Sequence, residues 1–172
     1  LEFARQTEPK KEPTDINRAI NDGLFFLVNQ ALFHNIRIVK NLDPFLPFVR
    51  GNSGQLKQVF MNIIVNAAEA IHGNGTLTIT TSPSPDRKTV WIEFADTGEG
   101  IPEENLSRIF DPFFTTKDVG KGTGLGLATS YGIVQDHGGT INVRSQVGLG
   151  TSFIIELPIQ PQQPILEGQS LQ

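Results

Sequence analysis

Residues 120–139 read "GKGTGLGLATSYGIVQDHGG", in which glycine occupies every second position from 120 to 126 and a stretch with helical apolar spacing follows. Glycine permits positive φ angles, and without a Cβ atom it lets a ligand approach the main-chain N–H groups. The N–H groups at a helix N-terminus also favour an anion, and Lys117 and Lys121 add positive charge nearby. The stretch therefore predicts a phosphate-binding loop that opens a helix over residues 124–137.

Two common phosphate motifs do not explain this loop. A dinucleotide-binding G-x-G-x-x-G would need glycine where Leu127 stands, and no strand pattern precedes the loop. The Walker pattern lacks its first glycine upstream of Lys121. The phosphate hypothesis therefore rests on the alternating glycines and their place before a helix.

Outward from this loop, helical and strand patterns lie in separate blocks of the chain. Asp15 can cap a first helix, and a strongly amphipathic second helix begins at Ser53. The segments "NIRIVKNL" and "PFVRG" have strand patterns, and two hairpins combine "GNGTLTITT" with "KTVWIEFAD" and "TINVRS" with "TSFIIEL". Because helices and antiparallel hairpins segregate, the pattern predicts an α+β fold, a two-layer sandwich.

A long irregular segment, residues 97–123, separates a strand from the helix after the glycine loop. Its only regular pattern is a turn of helix over 103–109. Connections much longer than about 12 to 15 residues are uncommon in compact domains unless they act as lids or binding loops. We therefore expect a lid.

The ends of the chain differ from the middle. Residues 1–14 are charged and interrupted by proline, which predicts a linker, and the abrupt "LEFAR" is similar to the end of a helix from a longer protein. Residues 159–172 are rich in proline and glutamine and predict a flexible tail, so the folded domain is expected over 15–158.

Composition excludes several partners for the domain. The net charge of −4 gives no electrostatic reason to expect nucleic acid or an anionic membrane. No apolar run approaches the length of a membrane span, and the absence of cysteine fits a reducing compartment. We therefore expect a cytoplasmic domain that makes no membrane contact.

A polar strip interrupts the apolar surface of the helix that begins at Ser53. Gln58, Asn62, Asn66 and Glu69 lie along one side of it. A single asparagine there would most simply cap nearby backbone or face water. Two asparagines at i and i+4 instead predict a polar cavity, in which their carbonyl oxygens suit a hard cation such as Mg²⁺.

A carboxylate lies on the inner face of the strand "TVWIEFAD". Period-two alternation places Asp96 on the same face as three apolar residues, and Thr151 has the same relation to the last strand. Because an unpaired buried carboxylate is costly, Asp96 needs a partner. An Asx turn with Thr97 and Gly98 is one alternative, and a ligand donor such as an exocyclic amino group is the other.

Five segments, in order, resemble the motifs of one family. They are similar to the N box, first glycine box, F box, second glycine box and terminal glycine box of the ATP-binding catalytic domain of sensor histidine kinases: "QLKQVFMNIIVNAAEAI", "DTGEGI", "IFDPFFTTK", "GKGTGLGLATSYGIVQDHGG" and "GLGTSF". The segments "FDPFFTTK" and "NAAEAI" are most similar to the nitrogen-sensor subgroup. The resemblance implies the Bergerat fold, a mixed, mostly antiparallel sheet of about five strands covered by about three helices, with a long ATP lid.

The resemblance also implies a role for each matching residue. Asp96 would accept a hydrogen bond from the adenine amino group, assisted by Thr151 through a water, and Asn66 with Asn62 would bind Mg²⁺ beside the phosphates. Phe110, Phe113 and Phe114 would anchor the lid, and Asn62, Asn66 and Lys117 would be the catalytic residues. The residues assigned to ATP are Asn66, Glu69, Asp96, Gly98, Gly100, Ile101, Phe110, Lys117, Lys121, Gly122, Thr123, Gly124, Leu125, Gly126 and Thr151.

Two departures from the family pattern limit the implied activity. Asn62 stands where hydrolysing relatives carry a glutamate base, and an amide cannot take a proton from water. No histidine lies in the family's phosphate-accepting motif, and His34, His72 and His137 are interpreted as structural or solvated. ATP bound here would therefore be neither hydrolysed efficiently nor transferred within the chain.

The resemblance predicts the partners as well. The acceptor histidine would lie on an upstream dimerisation domain, in a homodimeric parent that signals to a response regulator receiver domain. A non-catalytic ATP-binding signalling module and a serine-phosphorylating anti-sigma type kinase of the same fold are the alternatives.

Overall fold

The computed structural model describes residues 8–161 and has an α+β fold, a sheet covered on one face by helices. The central sheet has the strand order β2-β4-β5-β7-β6, in which β2 and β4 are parallel and the other neighbours antiparallel. The predicted fold class is confirmed. The strands are β1 Glu12–Thr14, β2 Ile36–Leu42, β3 Val49–Gly51, β4 Gly75–Pro83, β5 Thr89–Asp96, β6 Thr140–Gln146 and β7 Gly150–Pro158, and the helices are α1 Ile16–Leu27, α2 Ser53–Ala70, α3 Glu103–Leu106 and α4 Gly126–Asp136.

Helix α2 is the centre of the helical layer. It begins after Asn52, whose side chain accepts a hydrogen bond from the Gln55 N–H at 2.9 Å. Its apolar stripe is buried against the sheet, where Phe60 packs on Phe94 of β5 with ring centroids 5.8 Å apart. Helices α1 and α4 pack on either side of α2. The buried residues of α2 are Leu56, Val59, Phe60, Ile63, Ile64, Ala67 and Ala68.

The two middle strands alternate as the sequence predicts. In β5, Val90, Ile92 and Phe94 are buried while Trp91 is exposed on the opposite face. Strand β7 pairs with β5 so that Phe94 lies opposite Phe153 and Asp96 lies opposite Thr151. The register therefore places the predicted carboxylate and hydroxyl residues together at one end of the sheet.

A small second sheet includes residues that precede the predicted domain start at 15. Residues Glu12–Thr14, which the predicted linker includes, form β1 and pair with β3. The Thr14 hydroxyl donates to the Gly51 carbonyl at 3.0 Å. Strand formation here depends on a partner far along the chain, which local sequence does not reveal. The "LEFAR" segment and most of the predicted tail lie outside the described residues.

His137 connects the end of α4 to the beginning of α2. Its Nδ1 lies 2.7 Å from the Ile133 carbonyl, and its Nε2 accepts the Asn52 N–H at 3.0 Å. Because a carbonyl only accepts, Nδ1 carries the ring hydrogen. The side chain is 7% exposed, in agreement with a structural role. Within residues 8–161, none of the helices is long and apolar enough to cross a membrane.

Candidate functional site

Asp96, the last residue of β5, is buried and has two backbone partners. Its Oδ1 accepts the Gly98 N–H at 2.8 Å and the Thr151 N–H at 3.3 Å. The first bond is an Asx turn, so that alternative describes Oδ1 correctly. Among residues 8–161, Oδ2 receives no hydrogen bond and is not fully buried, which leaves it available to a ligand. Burial is the main cause that raises the pKa of Asp96 above 3.8, partly offset by these two hydrogen bonds.

Ser145, which sequence reasoning missed, joins the strands and the loop beside Asp96. Its hydroxyl accepts the Ile101 N–H at 2.7 Å, lies 2.8 Å from the Thr151 hydroxyl, and lies 3.1 Å from the Gly150 carbonyl. Ser145 and Thr151 are register partners in β6 and β7. Cross-strand pairing of the predicted hairpin was the signal that could have found it. The hydroxyl of Thr151 is thus held in place by protein atoms.

The glycines near Asp96 are packed against backbone. A Cβ atom on Gly98 would lie 2.6 Å from the Ala70 carbonyl oxygen, and one on Gly100 would lie 2.3 Å from the Gln146 carbonyl oxygen. Gly100 also has a φ of +79°. These two positions need glycine because the loop after β5 lies close to the end of α2 and to the β6–β7 turn. Close approach to a bound base, which the resemblance implies, is a separate requirement.

The polar strip of α2 faces α4 and the lid. The Asn62 amide nitrogen lies 3.2 Å from both the Gly126 carbonyl and the Ser130 hydroxyl. Asn66 is half-buried, and its side chain forms no hydrogen bond with another residue in 8–161. Glu69 forms an ion pair with Lys117 of the lid, and each side chain is about one-third exposed. The strip therefore offers amide oxygens to a ligand and connects α2 to the lid.

The lid, residues 97–125, is anchored by two of its three predicted phenylalanines. Phe110 packs on Tyr131 and on Phe153, with centroid distances of 5.4 and 6.4 Å. Phe114 packs against the core and has Arg108 above its ring at 4.7 Å. The expected anchoring role of Phe113 is wrong, since its side chain is 73% exposed and its φ is +66°.

The glycine loop is more exposed than the base of the lid. Gly120 has a φ of +87° with no atom near its missing Cβ, whereas Gly124, with a φ of +67°, approaches the Phe113 backbone. Close approach at Gly124 is therefore made to the protein itself. Among residues 8–161, Lys121 pairs only with exposed Asp118, at 3.5 Å, and the Thr123 hydroxyl accepts the Leu125 N–H at 3.3 Å. The structure does not bring Lys121 or Thr123 to Asn66.

The N-terminus of α4 is open at the end of this loop. Helix α4 begins at Gly126, two residues later than predicted, and Leu125 makes no capping hydrogen bond through its side chain. The first N–H groups of α4 therefore lack a side-chain acceptor from the capping position. An anion at this end would gain from those donors and from the helix dipole.

No group of three or more histidine, cysteine, aspartate and glutamate residues that could hold a metal occurs within 8–161. A cation at this site would instead use amide oxygens, of which Asn62 and Asn66 offer two on one helix. The histidines lie elsewhere or are occupied by structural contacts. His72 contacts Glu99 at 3.0 Å on the surface, and His34 follows a 3₁₀ turn.

Two parts of the site thus lie along α2. The Asp96 cluster contacts the end of the helix at Ala70, where the Glu99 N–H donates to the Ala70 carbonyl at 3.0 Å. Asn62 lies two turns earlier, about 12 Å along the helix axis. An elongated ligand with a polar ring at one end and anionic groups at the other fits this arrangement.

Residues 51–161 match the family described as histidine kinase-, DNA gyrase B-, and HSP90-like ATPase. The sensor histidine kinase ZraS of Escherichia coli strain K12 is 38% identical over 159 residues, which cover 92% of this chain and 33% of ZraS. The chain therefore spans about a third of the length of this curated relative.

Solved structures agree with the sequence comparison. The catalytic domain of histidine kinase ThkA superposes with a TM-score of 0.77 at 32% identity, over 87% of this chain and 96% of that chain. ThkA in complex with the response regulator protein TrrA gives a TM-score of 0.73 at 29% identity, over 89% and 43% of the two chains. Full-length ShkA in complex with AMPPNP gives 0.77 at 28% identity, over 89% and 32%.

Proposed function

We propose that this chain binds ATP with Mg²⁺ and donates the γ-phosphate to a histidine on another domain. The proposal proceeds from its family: the chain belongs to the histidine kinase-, DNA gyrase B- and HSP90-like ATPase family and is the ATP-binding catalytic domain of a two-component sensor histidine kinase. The observation that carries the proposal is the arrangement along α2. A buried carboxylate with a free oxygen lies at one end, and further back Asn62 contacts the first turn of α4, with Asn66 one turn along the same helix.

The adenine end is assigned to the Asp96 cluster. Oδ2 of Asp96 would accept a hydrogen bond from the exocyclic amino group, since Oδ1 is already engaged by backbone. Thr151 would assist through a water, with its hydroxyl oriented by Ser145. Ile101 and Phe110 would contact the base. Both are half-buried and pack against the core, Ile101 bonded to Ser145 and Phe110 beside Phe153. Gly98 and Gly100 keep this loop close to α2 and to the β6–β7 turn.

The phosphate end is assigned to α2, the lid and α4. Asn66, with Asn62 beside it, would ligate Mg²⁺ through its amide oxygen, and the open amide of Asn66 fits that role. When bound, Mg²⁺ would neutralise charge on the phosphates and orient the γ-phosphoryl group. Lys117 would exchange Glu69 for a phosphate, and Lys121 would reach the phosphates after the lid reorders. The N–H groups at residues 122–126 would complete the cradle.

Within residues 8–161, we identify neither a histidine acceptor nor a base placed for the terminal phosphate. Transfer needs a histidine nitrogen held at about 3 to 3.5 Å from the phosphorus, in line with the leaving group. His137 is buried at the end of α4 with both ring nitrogens engaged, and His72 contacts Glu99. Asn62 donates its amide hydrogens to α4 and cannot act as a base. Bound ATP should therefore persist on the isolated chain.

The partners follow from the relatives. Because this chain covers a third of ZraS, a sensor histidine kinase, we place the acceptor histidine on an upstream dimerisation domain of a homodimeric parent. ThkA forms a complex with a response regulator protein, and we propose a receiver domain as the final phosphate acceptor here too. The cytoplasm, where ATP and receiver domains meet, is the proposed location.

A labelling experiment in trans tests this function. The isolated chain, mixed with γ-labelled ATP and Mg²⁺, should bind nucleotide without acquiring label. Adding the dimerisation domain of a related sensor kinase should give an acid-labile phosphohistidine on that domain, and Asn66→Ala should abolish the labelling while the fold persists. ATP binding without transfer to any acceptor would favour the signalling-module alternative, and acid-stable label on a serine would favour the anti-sigma type kinase.

A further inference from the structure

Ser130 is a fully buried hydroxyl residue on α4, next to the proposed phosphate site. Its exposed fraction is 0%. Its Oγ lies 2.8 Å from the Gly126 carbonyl one turn earlier and 3.2 Å from the Asn62 amide nitrogen on α2. The same amide nitrogen lies 3.2 Å from the Gly126 carbonyl. Three polar groups from two helices therefore form one closed cluster.

The hydrogen-bond directions in this cluster are determined by chemistry. The Gly126 carbonyl can only accept, so the Asn62 atom that faces it must be Nδ2. Ser130 donates its single hydrogen to the same carbonyl and so accepts the second Nδ2 hydrogen through a lone pair. Both amide hydrogens of Asn62 are used, and its Oδ1 is directed away from α4. A flipped amide would place two acceptor oxygens face to face.

We propose that Ser130 is a positioning residue that fixes the Asn62 amide with Oδ1 presented to the cation of the bound nucleotide. This inference rests on the proposed function, since it concerns how Mg²⁺-ATP is recognised. The cluster acts through Gly126, which is the first residue of α4 and directly follows the lid. Ser130 therefore also keeps the lid's attachment point against α2.

The proposal separates binding with metal from binding without it. Without the Ser130 hydroxyl, the Gly126 carbonyl would be the one remaining partner described for the Asn62 amide, which would then turn Nδ2 towards the cation more often. An N–H group suits a phosphate oxygen, but it cannot ligate a cation. Loss of the Ser130 hydroxyl should therefore weaken binding of Mg²⁺-ATP and leave binding of metal-free ATP unchanged. A general defect in packing would weaken both equally.

Calorimetric titration of ATP into the chain, once in Mg²⁺ and once in EDTA, tests the proposal. We expect Ser130→Ala to weaken binding in Mg²⁺ by about 3- to 10-fold, the range for one lost hydrogen bond, with no change in EDTA. Ser130→Thr, which keeps the hydroxyl, should restore the wild-type ratio of ATP affinity in Mg²⁺ to ATP affinity in EDTA. The matched control is Thr129→Ala, an exposed neighbour on α4, which should bind as wild type does under both conditions.

A double-mutant cycle with Asn62→Ala makes the test specific. If Ser130 acts through Asn62, adding Ser130→Ala to Asn62→Ala should cause no further loss in Mg²⁺. Additive losses, equal losses with and without metal, or an unchanged Ser130→Ala affinity would each overturn the proposal. Failure of the wild-type chain to bind ATP under either condition would instead overturn the proposed function, so the two failures are distinguishable.

Discussion

The two ends of the proposed nucleotide site differ in how completely the protein builds them. Around Asp96, the carboxylate accepts the Gly98 and Thr151 N–H groups, the Ser145 and Thr151 hydroxyls are hydrogen-bonded to each other, and Asp96 and Thr151 are 7% and 4% exposed. Around the glycine loop, Lys121 is 75% exposed and pairs only with a lid neighbour. One end is complete without ligand, whereas the other has its charged groups still turned to solvent or to one another.

This difference suggests separate roles for the two ends of the proposed site, recognition of the base at one end and enclosure of the phosphates at the other. A base site held by β5, β6 and β7 loses little conformational entropy when adenine binds, because its groups are already ordered. In the proposed function, the lid would give up conformational freedom when it wraps the phosphates, and contacts with their charge would have to offset that cost. We therefore propose that the base end selects the nucleotide and that the phosphate end responds to it.

Glycine substitutions should separate the two ends most strongly. Gly100→Ala places a Cβ atom 2.3 Å from the Gln146 carbonyl at a φ of +79°, and should destabilise the ligand-free protein by about 2 to 5 kcal/mol. Gly120→Ala at a φ of +87° meets no atom, so only the backbone strain of about 1 to 2 kcal/mol applies, reduced if the loop relaxes. Chemical denaturation measures both. Equal losses would contradict the contrast between the two ends.

Asp96→Asn should remove nucleotide recognition without unfolding the domain. At about 100 times the Kd, ATP should stabilise the wild-type chain by about 2.7 kcal/mol, visible as a shift of the thermal melting curve. The amide can present a donor to the adenine amino group, so the shift should disappear. A variant that melts later with ATP, as wild type does, would contradict the assignment of Asp96.

The same variant reports on the buried charge. Because burial raises the pKa of Asp96 above 3.8, the folded state binds this proton more tightly than the unfolded state. The cost of burying the carboxylate is therefore present above the raised pKa and fades as the pH falls from there towards 3.8. The free energy of unfolding of the wild type relative to that of Asp96→Asn should therefore rise as the pH falls through that interval.

The smallest expected effect concerns the contact between lid and helix. Glu69→Gln removes the partner of Lys117, and because both side chains are about one-third exposed, we expect a loss of at most about 1 kcal/mol in ligand-free stability. Affinity for ATP should rise slightly, since Lys117 is released and a negative charge leaves the phosphate site. Glu104→Gln, on exposed α3, is the control. Weaker ATP binding by Glu69→Gln would instead indicate that the carboxylate itself contacts the bound nucleotide.

Periodicity was sufficient for the elements that carry the core. The apolar stripe of α2 and the alternation of β5 predicted the buried side of each, because burial follows spacing in a helix or strand of this length. The same alternation placed Asp96 inside, and the pairing of β5 with β7 brought Thr151 opposite to it. The stripe and the alternation are local and can be read from the sequence directly, whereas the pairing of β5 with β7 joins distant segments and was seen only in the structure.

Features that depend on distant partners were not predictable in this way. Strand β1 has only three residues, including Pro13, and exists because β3 pairs with it. Ser130 and Ser145 are single serines whose importance appears only when two helices or two strands meet. The three phenylalanines of "FDPFF" look equivalent in sequence, yet of the three only Phe113 is exposed.

The small sheet at the start of the domain also ties the first described residues to two helices. Residues 10 and 11 contact the N-cap of α2 and the last residue of α4: Asn52 donates to the Lys10 carbonyl at 3.2 Å, and Lys11 donates to the Asp136 carbonyl. Strand β1 pairs with β3, which runs directly into α2. The Asp96 cluster lies at the opposite end of α2, about 27 Å away along the axis. If force reaches the domain through β1, we therefore expect α2 and α4, the helices of the proposed phosphate site, to move before the Asp96 cluster, which the central sheet holds.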